Sequence, residues 1–326
     1  MGKKPSQGTD KDAEDGQNRE AGAEQAEKTP QPLTIVGIGA SAGGLEAFTE
    51  LLRVLPSDTG MAFVFVQHFK PGRHTMLPEI LARETTMPVT EITHGTALEA
   101  DHVYVMSAYI PISLEGTTVH VEQEHGESGK RMPIDDFFRV LAGYRDGAVI
   151  GVVLSGTASD GAMGLMAIKE ENGITMAQSE ESARYDGMPR SAIAAGAVDF
   201  VLDPAGLAME LARLAAHPEL GRRPAERPVP EPSVLEQIFQ MLKDRFAVDF
   251  AGYKHTTVAR RLKRRMVVHH MQYIADYLAY LRANPAELIS LYHDLLINVT
   301  GFFRDPGAFQ ALRERVFPEL VKGQWH

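Results

Sequence analysis

Apolar runs alternate with amphipathic segments over the first two thirds of the chain, which predicts strands that alternate with helices. The run LTIVGIG is followed by the amphipathic stretch GLEAFTELLRVL, then by the apolar run AFVFVQHF and a second helical stretch near MLPEILARE. The run AVIGVVLSG (148–156) is apolar at nearly every position, as expected for a strand that is covered on both faces. This order predicts a doubly wound, mostly parallel α/β sheet.

The segments around that last strand refine the prediction. HVYVMSAYIPISLEGTTVHVE alternates and turns at Glu115-Gly116, which predicts an antiparallel hairpin on the edge of the sheet. After AVIGVVLSG we expect a helix capped at its C-terminus by Gly173. The strand ITMAQ, the helix PRSAIAAG, the strand AVDFVL and the helix AGLAMELARLAAH then complete the α/β pattern.

Changes in composition predict the domain boundaries. Residues 1–31 are rich in Gly, Glu, Lys, Gln and Ala, so we expect a disordered tail. The α/β domain is predicted over 32–215 and a proline-rich linker over 216–232. Beyond it the pattern is helical only, which predicts a small all-α domain over 233–326 built from SVLEQIFQMLKDRF, YKHTTVARRLKRRMVVHH, MQYIADYLAYLRA and PAELISLYHDLLINV.

The composition excludes several classes of site and partner. With 326 residues and 44% hydrophobic content the chain can bury a sizeable core, and its zero cysteines exclude disulfides, thiolate metal sites and cysteine nucleophiles. The net charge of −10 argues against general nucleic-acid binding. No apolar run reaches the roughly 20 residues that a membrane helix needs, and the N-terminus lacks the apolar core of a signal peptide. We therefore expect a soluble, cytoplasmic protein without membrane insertion.

The stretch TIVGIGASAGGLEAF (34–48) admits two interpretations. Gly37-x-Gly39-x-x-Ala42 is typical of a loop that holds the pyrophosphate of a dinucleotide. Gly39-x-Ser41-x-Gly43 is typical of a nucleophilic serine at a strand-to-helix turn. The two interpretations predict different residues at the end of the next strand.

A dinucleotide site needs a carboxylate at the end of the second strand, and this chain has Gln67-His68 there instead. An imidazole is the general base that a serine nucleophile needs. Asp160 follows the strand AVIGVVLSG and is suited to orient His68, so Ser41, His68 and Asp160 are predicted to meet where parallel strands end. The alternative is structural: Ser41 and Asp160 both precede helices and are favourable helix N-caps, and His68 could be a hydrogen-bonded histidine at a strand end.

The motifs themselves resemble a known family. IVGIGASAGGLEAF, FVQHFKPG, PIDDFF, VVLSGTASDGAMGL and AQSEESARYDGMPRSAIAAGAVDFVL are similar, in order, to the catalytic domain of the chemotaxis protein-glutamate methylesterase, CheB. The resemblance implies that Ser41 is the nucleophile, His68 the base and Asp160 its orienting group, with the backbone amide of Thr157 as oxyanion donor. It implies hydrolysis of glutamyl methyl esters on the signalling helices of methyl-accepting chemoreceptors, without a metal or diffusible cofactor, and deamidation of receptor glutamines in many members.

The segment from about Ser233 to Leu320 resembles the N-terminal helical domain of the chemoreceptor methyltransferase, CheR. The resemblance implies that Asn298, Thr300 and Arg304, in NVTGFFR, contact S-adenosylmethionine. It also implies that a basic helix faces the acidic receptor, with the positive charges supplied by Arg260, Arg261, Lys263, Arg264 and Arg265. From the residues alone, a solvated basic face is the simpler explanation, and a nucleic-acid arm is disfavoured because the helix carries no interleaved aromatic residues.

Two expectations follow from the family patterns. No receiver domain precedes the esterase segment, and the chain ends at VKGQWH without the α/β domain of a methyltransferase. We therefore expect a fragment of an esterase and methyltransferase fusion, which binds S-adenosylmethionine fully only with the missing domain and transfers no methyl group by itself. The competing functions are a catalytically silent scaffold that docks on receptors through the basic helices and, less well supported, a nucleotide-dependent oxidoreductase that uses Gly37 and Gly39.

Overall fold

A computed structural model describes residues 1–2, 32–68, 76–107, 109–122, 132–217 and 232–296. The strands within these ranges are β1 (Thr34–Ala40), β2 (Met61–Gln67), β3 (Val89–Glu91), β4 (Thr96–Ala97), β5 (His102–Ser107), β6 (Ile112–Glu115), β7 (Thr118–Val121), β8 (Val149–Val153), β9 (Ile174–Gln178) and β10 (Phe200–Leu202). The helices are α1 (Gly44–Val54), α2 (Leu77–Leu81), α3 (Pro133–Ala142), α4 (Ala162–Glu170), α5 (Gly187–Ala194), α6 (Pro204–Ala215), α7 (Pro232–Phe246), α8 (His255–Val268), α9 (Ile274–Ala283) and α10 (Pro285–Leu296).

Seven strands form one sheet in the order β10-β9-β8-β1-β2-β5-β3, and every neighbouring pair is parallel. The strand β1 lies in the middle, with β2 on one side and β8 on the other. Helices α1 and α6 cover one face and helices α3, α4 and α5 cover the other. The predicted doubly wound α/β fold is confirmed, and β1 is the point at which the chain reverses its direction across the sheet.

The two glycines of the ambiguous motif lie inside β1 and not in the loop after it. A Cβ atom on Gly37 would lie 2.3 Å from Cδ1 of Leu141, and one on Gly39 would lie 2.4 Å from Cγ2 of Ile134. Both neighbours belong to α3. The glycines therefore let α3 pack closely on the central strand, which explains them without a bound pyrophosphate.

Two local predictions are wrong. The hairpin of β6 and β7 does form, with Gly116 at positive φ in its turn, but it joins β4 in a separate three-stranded antiparallel sheet and not the edge of the parallel sheet. The left-handed residue at the end of α4 is Asn172, with φ of 70°, and not Gly173. Asparagine tolerates this conformation better than most residues. Gly173 meets a different constraint, since a Cβ there would lie 2.8 Å from the Val149 carbonyl oxygen.

The four helices of the helical region, residues 232–296, enclose their own core around Ile238, Leu262, Tyr277 and Leu291. The C-terminal end of α8 also joins the core beneath α1 and α6, because Val267 and Val268 are buried there. The helical region therefore packs directly on the α/β region. Among the residues described, none of the helices is both long enough and apolar enough to cross a lipid bilayer.

Candidate active site

Three polar residues follow the central strands of the sheet. Ser41 comes directly after β1, His68 directly after β2, and Asp160 lies in the loop between β8 and α4. Because β1 pairs with both β2 and β8, the carboxyl ends of these three strands share one edge. The structure brings the three side chains together: Nδ1 of His68 lies 3.2 Å from Oγ of Ser41, and Nε2 lies 2.9 Å from Oδ2 of Asp160.

The hydrogen bonds assign the proton on the imidazole ring. An ionised Asp160 can only accept, so Nε2 of His68 must carry the hydrogen and donate it. Nδ1 is then unprotonated and can accept the hydroxyl hydrogen of Ser41. The distance of 3.2 Å between the hydroxyl and Nδ1 is within reach for proton transfer. The arrangement can therefore remove a proton from Ser41 while Asp160 stabilises the resulting imidazolium.

The carboxylate of Asp160 is held by the N-terminus of α3. The main-chain N–H of Ile134 donates to its Oδ2 over 3.0 Å, and that of Asp135 donates to its Oδ1 over 2.9 Å. Asp160 is only 3% exposed. The unpaired amides and the dipole at a helix N-terminus attract a carboxylate, so this position fixes the orientation of the Asp160 side chain.

Neither Ser41 nor Asp160 is the N-cap of the helix that follows it, as the structural alternative required. The N-cap of α1 is Gly43 and that of α4 is Gly161, and both glycines have positive φ. The Ser41 hydroxyl contacts His68, and the Asp160 carboxylate caps α3 instead of its own helix.

The main chain before Thr157 passes directly beside the serine. A Cβ atom on Gly156 would lie 3.0 Å from Cβ of Ser41 and 2.0 Å from Sδ of Met188, so only glycine fits there. The Gly156 N–H donates to the Tyr185 carbonyl, which fixes the direction of the chain. Within the described part of the chain, the N–H of Thr157 has no hydrogen-bond acceptor. The amide is thus available to a ligand next to Ser41.

A residue that the sequence analysis missed connects the loops of the site. Ser155 is fully buried; its hydroxyl donates to the Ala42 carbonyl over 2.9 Å and accepts from the Tyr185 amide over 3.0 Å. Its own amide donates to Oε1 of Gln178, at the end of β9. The available signal was a polar residue at the end of an otherwise apolar strand. Ser155 holds the loop after β1 against the two loops beyond β8 and β9.

An exposed aromatic ring lies at the mouth of the site. The ring of Tyr109 lies 5.6 Å from the His68 ring, centroid to centroid, and the residue is 44% exposed. This ring gives an incoming chain an apolar surface beside the base. The segment 69–75, which includes part of the motif FVQHFKPG, lies outside the described residues.

The basic residues of α8 do not form the predicted docking surface. Four of the five are buried, and Arg260 is the exposed one. A buried side chain cannot meet a receptor in this conformation, so the prediction is wrong for Arg261, Lys263, Arg264 and Arg265. Charge and spacing are the same for a docking helix and a packed one, which is why the sequence did not separate them.

Two guanidinium groups of α8, those of Arg261 and Arg264, bind the edge of the sheet opposite the serine. Arg261 donates to the carbonyls of Lys169 and Glu170 at the C-terminus of α4, over 2.8 Å each. Arg264 donates to the Gly173 carbonyl over 2.9 Å, to Asp294 over 2.7 Å and to Asp199. Gly173 and Asp199 directly precede β9 and β10, so these contacts lie at the amino edge of the sheet.

The carboxylate of Asp199 is the centre of this cluster. It also accepts from the Thr175 amide and hydroxyl, and Nζ of Lys169 lies 3.5 Å from it. Burial alone would raise the pKa of Asp199, but the charges of Arg264 and Lys169 lower it to about 2. The predicted S-adenosylmethionine contacts, Asn298, Thr300 and Arg304, lie outside the described residues.

The fold and the three-residue arrangement define a parallel α/β protein with a serine, a histidine and an aspartate joined at the carboxyl edge of its sheet. The family model of CheB methylesterase matches residues 36–211, and the model of the CheR methyltransferase all-alpha domain matches residues 233–296. The chain belongs to the CheB methylesterase family and carries a CheR-type all-alpha domain after it. The predicted resemblance to both families is confirmed.

Two relatives are similar to large parts of this chain. A protein-glutamate methylesterase/protein-glutamine glutaminase 3 of Burkholderia orbicola is 37% identical over 56% of this chain and 54% of its own length. An uncharacterized 104.1 kDa protein of Rhodobacter capsulatus is 35% identical over 75% of this chain and 28% of its own length. The chain thus spans about half or less of the length of these relatives.

A solved structure shares the fold of the α/β region. The crystal structure of the CheB methylesterase catalytic domain of Thermotoga maritima matches 55% of this chain and 97% of its own length, with a TM-score of 0.51 and 27% sequence identity. The match covers about the share of the chain that the α/β region occupies.

Proposed function

We propose that this chain is a protein-glutamate methylesterase that hydrolyses glutamyl methyl esters on chemoreceptor signalling helices. The observation that carries the proposal is the hydrogen-bonded series from Ser41 through His68 to Asp160 at the carboxyl edge of the sheet. Membership of the CheB methylesterase family and the printed names of the relatives support the ester and its glutamyl carrier.

In the first half of the reaction, Oγ of Ser41 attacks the carbonyl carbon of the ester. Its proton passes to Nδ1 of His68, and the resulting imidazolium is stabilised by Asp160 through Nε2–H. The Thr157 amide beside Ser41 is the proposed donor to the oxyanion. When the tetrahedral intermediate collapses, the imidazolium gives its proton to the methoxy oxygen, so methanol leaves and the glutamyl group stays on Ser41 as an ester.

In the second half, water replaces the serine. His68 takes a proton from the water, the hydroxide adds to the acyl carbon, and the proton returns to Oγ of Ser41 as the bond to the enzyme breaks. The product is a free glutamate carboxylate. The same steps applied to a glutamine side chain release ammonia, and the relatives named as protein-glutamine glutaminases support this second substrate.

The proposed domains follow the sequence prediction, with the esterase over 32–215, a linker over 216–232 and the all-α domain over 233–326. We place the protein in the cytoplasm, where the signalling helices of chemoreceptors are reached. A receptor contact through α8 is left to the exposed Arg260, since its four basic neighbours are buried. We propose no role for the all-α domain in methyl transfer.

The test is mass spectrometry of methylated receptor peptides after incubation with the full chain and with the variant Ser41→Ala. The variant should lose methanol release by at least about 10⁴-fold because the nucleophile is gone. Ser57→Ala, at an exposed serine in the loop after α1, is the matched control and should retain parental activity. Parental activity in Ser41→Ala would refute the proposed mechanism.

The same experiment distinguishes the alternative of a catalytically silent scaffold. If the parental chain binds methylated receptor fragments but releases no methanol, the scaffold is the better description. The hydrogen-bonded arrangement around His68 favours the esterase, because a scaffold gains nothing from a base held next to a serine hydroxyl.

A further inference from the structure

The helices α3 and α4 begin side by side, and each is capped by a carboxylate from the other. Asp160, two residues before the start of α4, accepts from the amides of Ile134 and Asp135 in the first turn of α3. In return, Oδ1 of Asp135 accepts from the amide of Gly164 in the first turn of α4, over 2.7 Å. Asp135 therefore holds Asp160 with its main chain and holds the helix that follows Asp160 with its side chain.

The packing around this exchange allows little movement. Asp135 is 2% exposed and Asp160 is 3% exposed, so water competes for neither carboxylate. A Cβ atom on Gly164 would lie 2.9 Å from Cα of Asp135, and one on Gly161 would lie 3.1 Å from Cγ2 of Ile134. The two helix ends meet at distances that only glycines permit, so a change in one end is transmitted to the other.

The neighbouring acid provides a contrast within the same helix turn. Asp136 is exposed and pairs with Arg139 over 2.8 Å at the surface. Burial raises the pKa of Asp135, and the charge of Asp160 raises it further, although the hydrogen bond from Gly164 opposes both effects. Asp136 shows that an acidic residue in the first turn can favour the helix while it stays exposed. The burial of Asp135 next to a second buried carboxylate therefore needs a further explanation.

We propose that Asp135 is a positioning residue for the hydrolysis, which fixes Asp160 against Nε2 of His68 by tying the N-termini of α3 and α4 together. The proposal rests on the proposed function, in which Asp160 stabilises the imidazolium. The hydrogen bonds of Asp135 go to Asp160 and Gly164, and among the described residues none joins it to Ser41 or His68. Its effect is therefore on the orientation of Asp160, which a displacement of the two helix ends would disturb.

The experiment compares Asp135→Ala, Asp135→Asn and Asp136→Ala in the full chain. The rate constant kcat and the KM for a methylated receptor peptide are measured per active site, counted by labelling Ser41 with a fluorophosphonate probe. Asp135→Ala should lower kcat by roughly 10- to 100-fold, as expected for an outer residue that orients an inner one, with KM unchanged. Asp135→Asn should restore most of kcat because its amide oxygen still accepts from Gly164, and Asp136→Ala should match the parent.

A second readout reports on the orientation itself. The proton between Nε2 of His68 and Asp160 should give a downfield ¹H NMR signal in the parent, in Asp135→Asn and in Asp136→Ala. That signal should shift upfield or disappear in Asp135→Ala. If Asp135→Ala does not fold, Asp135→Ser, whose shorter side chain holds Gly164 less well, takes its place with a smaller loss of kcat in the same direction.

The proposal is overturned if Asp135→Ala, or Asp135→Ser in its place, lowers only the number of labelled sites and keeps the parental kcat per site, because Asp135 would then serve folding alone. It is equally overturned if the downfield signal is unchanged in that variant. Failure of the proposed function looks different: in that case Ser41→Ala itself remains active, whatever Asp135 does.

Discussion

The two edges of the parallel sheet each bury a carboxylate, and the two carboxylates have different partners. At the carboxyl edge, Asp160 accepts from two amides of α3 and from the imidazole of His68, which is partly exposed. At the amino edge, Asp199 accepts from Thr175 and pairs with the guanidinium of Arg264, which is itself 1% exposed.

The two carboxylates differ in whether the charge of their partner can change. The partners of Asp199 are permanent positive charges and fixed donors, so its site has a single protonation state near neutral pH and ties the α/β region to α8. The partner of Asp160 can gain a proton when the Ser41 hydroxyl loses one. A buried carboxylate therefore stabilises structure when its partner is always charged, and supports catalysis when its partner becomes charged only during the reaction.

The largest expected effect comes from replacing each of the two buried aspartates, Asp160 and Asp199, by asparagine, which should separate the catalytic role from the structural one. Asp160→Asn should lower kcat by about 10⁴-fold while the protein stays folded. Asparagine has one oxygen where Asp160 uses two, so if it accepts from His68 its NH₂ group faces the amide of Asp135, and if it is turned round His68 loses its acceptor. Steady-state hydrolysis of methylated peptides measures the loss.

Asp199→Asn is the matched variant at the amino edge. It should lower the free energy of unfolding by about 3 kcal/mol, because the buried Arg264 loses part of its compensation, and should leave kcat within about 3-fold of the parent. Urea unfolding and the same peptide assay measure the two quantities. The comparison fails if both variants affect kcat equally, or if Asp199→Asn leaves stability unchanged.

Acid should destabilise the amino edge of the sheet and the helical region, whereas neutral pH leaves both intact. The pKa of Asp199 is lowered to about 2, and hydrogen bonds from His269 and Arg265 lower that of Glu287 to about 2 against the opposing effect of burial. Both values lie below the ordinary pKa of each acid, so the stabilisation is complete above about pH 4.5 and is lost as the pH falls towards 2. Each group contributes about 2 to 3 kcal/mol.

Unfolding free energies measured in urea between pH 5 and pH 2 test this expectation. The parent should lose stability steeply over that range, and Asp199→Asn should show a shallower slope because one of the two groups is absent. A variant with the same slope as the parent would show that Asp199 does not carry the effect.

The smallest expected effect compares two alanines in the left-handed conformation. Ala158, in the loop next to Thr157, has φ of 69°, and Ala247, after α7, has φ of 58°. Replacing either by glycine should raise the free energy of unfolding by roughly 0.5 to 1 kcal/mol, since relief of the left-handed strain exceeds the added chain entropy. Only Ala158→Gly should also lower kcat, because it loosens the proposed oxyanion donor.

Thermal unfolding and the peptide assay on both variants measure this difference. If Ala247→Gly changes kcat as much as Ala158→Gly does, the strain at Ala158 has no particular connection with the site.

Much of the fold could be predicted because hydrophobic periodicity is local. The strands β1, β2, β8 and β9 and the helices α7 to α10 were predicted from their patterns, and a polar residue after each of three strands indicated the site. The prediction failed where the competing structures have the same local pattern. The hairpin of β6 and β7 alternates in the same way at a sheet edge or in a sheet of its own, and only tertiary packing chooses between them.

The residues behind the site were missed for a related reason. PIDDFF has the proline and acidic residues of a helix start, but nothing in it shows that the first turn of α3 holds Asp160 or that Asp135 reaches α4. These contacts join residues that lie 25 to 29 positions apart and depend on the glycines that let the helices approach.

The sequence by itself determined the alternation of strands and helices, and the order of Ser41, His68 and Asp160 at strand ends. The physical reason is that burial periodicity and the direction of a parallel sheet place those ends on one edge. Tertiary structure alone decided that Asp199 meets a guanidinium and that Asp135 reaches α4, and whether the charges of α8 face solvent or are buried. Charge is a property of the residue, whereas burial and partner are properties of the packing around it.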